Sequence, residues 1–95
     1  MREITASELS KILKDHKKWI KTNHAEGRRA DLSDADLSGA KLRGANLENA
    51  DLTQVKNLSI KQLSEVRTLY KAKSDPELKK QVEDRYPHLL KKPKS

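Results

Sequence analysis

Apolar residues follow three different rhythms along the chain. Leu9, Ile12, Leu13, Trp19 and Ile20, with His16 on the same face, fall at helical spacing. Thr5-Ala6-Ser7-Glu8 just before them is a capping box, so a helix is predicted over residues 5–22. From residue 30 the rhythm changes. Ala recurs at 30, 35, 40, 45 and 50, and Leu at 32, 37, 42, 47 and 52. Helical spacing returns after residue 58. Ser59-Ile60-Lys61-Gln62 is a second capping box, and the stripe Leu63, Val66, Leu69, Tyr70 predicts a helix over 59–73. A further helix is predicted over 76–86, with Pro76 at a tolerated first-turn position and Leu78, Val82 and Tyr86 on one face. Pro87 ends it, His88-Leu89-Leu90 is expected to fold back, and 91–95 is expected to be a tail.

The five-residue rhythm fits neither regular element. Five residues advance an α-helix by about 500°, which would smear the leucines around every side. In a flat strand side chains alternate, so an odd repeat would put successive leucines on opposite faces. Within each unit, however, Ala and Leu are two apart, and an extended segment points both the same way. The residues between, such as Ser33-Asp34 and Ser38-Gly39, are turn formers. A short extended face followed by a corner, repeated with one sense of bending, winds the backbone around its Ala–Leu pairs. That is a solenoid, and a fixed period is its sequence signature. Its predicted core is Ala30, Leu32, Ala35, Leu37, Ala40, Leu42, Ala45, Leu47, Ala50 and Leu52.

Five consecutive units, ADLSD, ADLSG, AKLRG, ANLEN and ADLTQ, cover residues 30–54. They resemble the pentapeptide-repeat family, whose pattern is A(D/N)LXX, and only Lys41 departs from Asp or Asn at the second position. The resemblance implies a right-handed, four-sided β-helix with four units per coil, so that Leu32 stacks with Leu52 and Ala30 with Ala50. Ala25-Glu26-Gly27-Arg28-Arg29 and Val55-Lys56-Asn57-Leu58-Ser59 read as degraded terminal units, giving a repeat segment over 25–58 and about 1.25–1.5 coils. The fold class expected is therefore a β-solenoid with α caps, in one domain: a quadrilateral β-helix between one N-terminal and two C-terminal helices. Some family members act as acidic DNA mimics that bind a topoisomerase. Such mimicry needs a long negative rod, so the resemblance does not carry that activity to this short segment.

So short a solenoid exposes leucine at both ends and needs caps. The flanks supply candidates: Leu9, Ile12, Leu13, Trp19 and Ile20 on one side, Leu63, Val66 and Tyr70 on the other. Trp19, the one tryptophan, is expected to plug the open end, and Gly27 to let the chain leave the first helix.

Charge divides the chain the same way. Residues 1–29 carry 8 Lys/Arg against 4 Asp/Glu, residues 30–54 carry 2 against 5, and residues 55–95 carry 11 against 5, for a net charge of +7 over 95 residues. There is no cysteine, which fits a reducing compartment. No apolar run approaches membrane length, and MREITASEL lacks a signal-peptide pattern, so a soluble cytoplasmic protein with no membrane association is expected.

Candidate chemistry is sparse. His16, His24 and His88 share no metal-ligand spacing, and His16 is read as a core or boundary residue. Asp31, Asp36 and Asp51 occupy the second repeat position, where a short polar side chain can satisfy nearby backbone groups. No nucleophile–base pair or phosphate-binding glycine loop is present. The reading is a non-catalytic protein with no cofactor, metal or small-molecule substrate: a small scaffold or interaction module for a protein partner. Arg28, Arg29, Lys41 and Arg43 are its candidate contacts, with Asp34, Glu48 and Asn49 also outward-facing. The alternative is a nucleic-acid-associated protein gripping phosphates with its basic flanks, although no aromatic residues interleave with the cations to stack bases. Pairing of coil ends or cap helices into a homodimer is a third possibility.

Overall fold

In a computed structural model of the chain, residues 2–92 are described. The tail expected at 91–95 lies, for its last three residues, outside the described residues. A two-residue strand β1 (Arg2–Glu3) precedes helix α1 (Ala6–Lys21), and two short strands, β2 (Ala35–Asp36) and β3 (Asp51–Leu52), lie within the repeats. Helix α2 (Ile60–Glu65), strand β4 (Lys73–Ser74), helix α3 (Pro76–Arg85) and a 3₁₀ turn at Pro87–Leu90 complete the order.

The repeat rhythm becomes structure at its corners. The amides of Ala35, Ala40, Ala45, Ala50 and Val55 each donate to the carbonyl of the leucine three residues before, at 3.0–3.4 Å. The residue before each of these donors is left-handed: Asp34 (φ 61°), Gly39 (67°), Gly44 (71°), Asn49 (66°) and Gln54 (58°). This is a tight turn with a positive φ at its third position, which Gly, Asn and Asp enter most readily. One such corner every five residues keeps the side chains on the inside. Leu32, Leu37, Leu42, Leu47 and Leu52 are each at most 1% exposed, and Ala30, Ala35, Ala45 and Ala50 are buried with them. Ala40 is only half-buried.

Successive passes of the chain stack through parallel backbone pairing. Asp31 bridges Asp51 and Asp36 bridges Lys56, twenty residues apart. Leu32 N–H donates to Asp51 O at 2.8 Å, and Asp51 N–H to Ala30 O at 2.9 Å. β1 pairs in parallel with β2, with Arg2 opposite Ala35.

Stacking continues past the repeats, and here the sequence-based expectation is corrected. The helix predicted over 59–73 stops at Glu65, and Val66 is extended (φ −72°, ψ 151°). Asn46 bridges Thr68, and β3 pairs in parallel with β4, Asp51 opposite Lys73. The spacing is now twenty-two residues, because the short helix α2 replaces one repeat unit. Arg67-Thr68-Leu69-Tyr70-Lys71 is thus a disguised unit. Leu69 is buried, Lys71 is left-handed (φ 60°), and Ala72 N–H closes the corner on Leu69 O at 2.9 Å. Tertiary pairing overrides the helical stripe, and β-branched Val66 and Thr68 suit the extended state. The degraded unit expected at 25–29 is corrected too. It belongs to the loop after α1, with Ala25 N–H on Thr22 O and Arg28 N–H on Asp15 O. Gly27 (φ 76°) lies so close to α1 that an added Cβ would meet Asp15 O at 2.3 Å.

Gln62 mends the place where helix interrupts the stack. Its Nε2 donates to Leu37 O at 2.7 Å and to Ala40 O at 3.0 Å, and its Oε1 accepts the Ser59 N–H at 2.8 Å. One buried side chain closes the capping box and supplies the donors a missing strand would have given.

Two predictions follow from this inside–outside division. Leu42→Asp is expected to abolish cooperative unfolding and Arg43→Asp to retain it, read by circular dichroism on heating; equal losses contradict the assignment. Gln62→Leu, which strands buried carbonyls, is expected to lower stability by about 1–3 kcal/mol in urea titrations. Gln62→Glu, which aims a carboxylate at the same carbonyls, is expected to lower it further. Unchanged midpoints for both would remove Gln62 from its role.

Candidate interaction surface

The second position of four of the five repeats, the one polar site in the pattern, is spent on local backbone. Asp31 Oδ1 accepts from Ser33 N–H, Asp36 Oδ1 from Ser38, Asn46 Oδ1 from Glu48 and Asp51 Oδ1 from Thr53, at 2.9–3.0 Å. Thr68 Oγ1 does the same for Tyr70 N–H at 3.1 Å in the disguised unit. These are two-residue side-chain turns that fix each corner's approach. Hydrogen bonds from Ser33, Ser38 and Thr53 hold the three aspartates below the usual carboxylate range. Lys41 cannot accept such a bond, and its unit, 40–44, is the one repeat unit without a β-bridge among the described residues.

The N-terminal end is closed differently from the expectation. Leu9 and His16 are the buried residues of α1, with Ile12 and Leu13 packed alongside. Trp19 and Ile20 are half-buried and lie outside the core cluster, so Trp19 is not the plug. The chain leaves α1 through a left-handed turn at Asn23 (φ 56°), with His24 N–H on Trp19 O at 2.7 Å. That turn lays the His24 ring on Trp19 at 3.7 Å and 4°, while His16 stacks more loosely at 5.6 Å. The plug is His16, fully buried, whose Nδ1 accepts the Ala30 N–H at 2.9 Å where the repeats begin. The neutral ring therefore carries its proton on Nε2, which has no hydrogen-bond partner among the described residues. Burial pulls the His16 pKa below its ordinary value; the nearby Glu48 carbonyl and carboxylate oppose this more weakly. On the opposite side, Leu63 and Val66 are buried and Tyr70 half-buried, and Val82 and Leu89 join them. Leu69 N–H donates to Leu89 O at 2.9 Å, so the fold-back at 87–90 adds a last strand-like contact.

The four candidate contact residues do not form one patch. Arg28 and Arg29 line a cleft of about 670 Å³ between α1 and the first repeat, with Arg2 and Lys11 but also Glu8, Asp15 and Asp31. Lys41 lines a separate groove of about 510 Å³ between the start of α1 and the second and third repeats. Arg43 is exposed and lines neither. The aspartates, by contrast, sit where the repeat pattern placed them.

The regular Ala–Leu ladder, left-handed corners and second-position turns belong to one stretch of chain. A family model described as Pentapeptide repeats (8 copies) matches residues 28–59, about a third of the chain. Residues 28–59 are a pentapeptide-repeat segment. Comparison with curated proteins and with solved structures gave no match. Pentapeptide repeats imply a solenoid of the β-helix type, here accompanied by three α-helices. None of the described helices is long and apolar enough to cross a membrane.

The buried histidine is expected to make stability depend on pH. His16 is neutral when folded, whereas an unfolded chain takes up a proton below about pH 6.5. Stability is thus full above that value, falls as the pH drops from there to the depressed folded pKa, and then levels off with respect to this group. A second loss follows below about pH 3.8, as the hydrogen-bonded aspartates protonate. His16→Asn, which keeps an acceptor for Ala30 N–H but cannot titrate, is expected to erase the first slope and leave the second. Urea midpoints measured from pH 7.5 to 3 check this; an unchanged first slope in the variant assigns it elsewhere.

Proposed function

We propose that this protein is a non-catalytic, cytoplasmic interaction module that binds a protein partner by rigid display of side chains. The observation that carries the reading is the use of the repeat's carboxylates. Asp31, Asp36 and Asp51 are tied to their own turns, which makes them parts of the scaffold and leaves the outer fourth and fifth positions to vary. The twenty-residue spacing of the bridges supports a four-sided coil of about 1.25–1.5 turns as the display frame, and the family resemblance implies its right hand. Helices at both ends hold that frame stiff, so a partner binds without ordering it first.

Nucleic-acid association is the second reading, favoured by the gathering of Arg2, Lys11, Arg28 and Arg29 around one cleft. Glu8, Asp15 and Asp31 in the same lining repel phosphate, and the one tryptophan is stacked on His24, away from any base. Random duplex DNA at 0.15 M salt is expected to bind no tighter than about 10⁻⁴ M. Micromolar binding that weakens steeply with salt would replace the interaction reading. Nuclease-treated extract passed over the immobilised protein is expected to leave a saturable protein partner. Recovery of the chain's own copies alone, with concentration-dependent sedimentation, would make self-association the function.

A further inference from the structure

The repeat unit that breaks the sequence pattern holds the next pass through its Ala40 carbonyl and Gly44 amide, but leaves its Lys41 amide unbonded. In the second pass of the chain, second-position residues grip the pass before them with both backbone groups. Asp51 N–H donates to Ala30 O and Asp51 O accepts from Leu32 N–H; Lys56 does the same with Ala35 O and Leu37 N–H, all at 2.8–2.9 Å. Lys41 holds this position in the first pass, where no earlier repeat precedes it. β1 covers the neighbouring unit at Ala35–Asp36, but the chain then turns into α1 and leaves the Lys41 edge uncovered. No hydrogen bond to the amides of Lys41 or Arg43 forms among the described residues.

Beside this edge lies the 510 Å³ groove, with Ile4, Leu9, Leu13, Leu37 and Ala40 among its walls. Ala40 is the one repeat alanine that is only half-buried. An added Cβ on Gly39, at the groove's corner, would meet nothing within 4 Å. Lys41 supplies the positive charge of the groove's lining, with Arg43 two residues further along the same edge, and Asp36 supplies a negative one. Lys41 and Arg43 are exposed and have no ion-pair partner among the described residues, whereas the Asp36 carboxylate is held by Ser38 N–H and Asn57 Nδ2.

We propose that the open edge at Lys41 and its apolar groove dock an extended acidic peptide segment of a partner protein as an added strand. The proposal rests on the interaction-module reading and names its site. A strand presents alternate side chains to opposite faces. One set of small apolar groups enters the groove over Ala40, and the other set, acidic, faces Lys41 and Arg43. Main-chain bonds to the edge supply affinity, and the side chains supply selection. An unpaired edge of this kind is a template for strand addition, and the charge at Lys41 selects against like-charged edges.

The test uses an end-blocked heptapeptide of alternating valine and glutamate, with valine–lysine as control, followed by amide chemical shifts and hydrogen exchange. The acidic probe is expected to shift Lys41 and Arg43 and to slow exchange at the Lys41 amide; the basic probe is expected to do neither. Lys41→Pro removes the edge donor without breaking a native hydrogen bond and is expected to weaken the acidic probe about fivefold. Lys41→Asp restores the repeat pattern and its turn to Arg43 N–H. It is expected to melt no lower than the parent yet to weaken the acidic probe about tenfold, through like-charge repulsion. Shifts confined to other residues, equal binding of both probes, unaltered binding in the folded Asp variant, or DNA in place of the peptide at this edge would each overturn the proposal. A partner retained from extract equally well by Lys41→Pro would overturn the edge site alone; failure of the parent protein to retain any partner would instead overturn the interaction-module reading.

Discussion

The structure depends on a left-handed residue at every fifth position. The turn used at these corners needs a residue at positive φ in its third place, and Asp34, Gly39, Gly44, Asn49 and Gln54 meet that demand in succession. Each corner closes by one backbone hydrogen bond to a leucine carbonyl. The rest is consequence. With the corners fixed, Ala and Leu can only face inward, and the intervening amides can only face the next pass of the chain. Gln54 and Lys71 adopt the same conformation without a residue type that favours it, at about 1–2 kcal/mol each. Both have support nearby: the Asp75 carboxylate accepts the Gln54 N–H at 3.0 Å, and Lys71 Nζ lies 5.4 Å from the Tyr70 ring centre.

A stack of corners has no natural end, so each end needs a different device. At the start, α1 lays Leu9 and His16 over the first repeat and β1 pairs with the second. A buried imidazole is an unusual plug, but it does what leucine cannot: its Nδ1 takes up the Ala30 amide. At the other end the stack tapers. α2 replaces one unit, Gln62 supplies the lost donors, and Asp75 bonds to Gln54 and leaves its own helix α3 without a side-chain cap. In both places a polar side chain substitutes for backbone that the short solenoid lacks.

The repeat core was legible in the sequence because its code is local: every unit specifies its own corner and inward pair, and all but the Lys41 unit its side-chain turn. The first helix was legible through its capping box and stripe. The region 66–74 was not, since Leu63, Val66, Leu69 and Tyr70 satisfy a helical stripe just as well. The signal that could have separated the two was the three-residue step from Leu69 to Ala72, identical to every Leu-to-Ala step in the repeats, with Thr68 placed to bond the Tyr70 amide. The two extra residues contributed by α2 hide it from any search at period five. Trp19 misled for a related reason. Size and uniqueness suggested a plug, but helical geometry carries it past the end of the stack to His24, and the smaller His16 reaches Ala30.

The aspartates and Lys41 express one rule in opposite ways. Where a second-position side chain bonds its own turn, the unit is closed, paired and chemically quiet, and the family pattern is kept. Where Lys41 breaks the pattern, the local bond is lost, no β-bridge forms, and the neighbouring alanine is left half-covered. A lysine there adds nothing to the corner that aspartate would not add better. Its long cationic side chain is instead suited to an edge that has to stay soluble, reject its own kind and remain accessible. The exception in the code and the unbonded amide coincide at one residue, and the proposed docking edge rests on that coincidence.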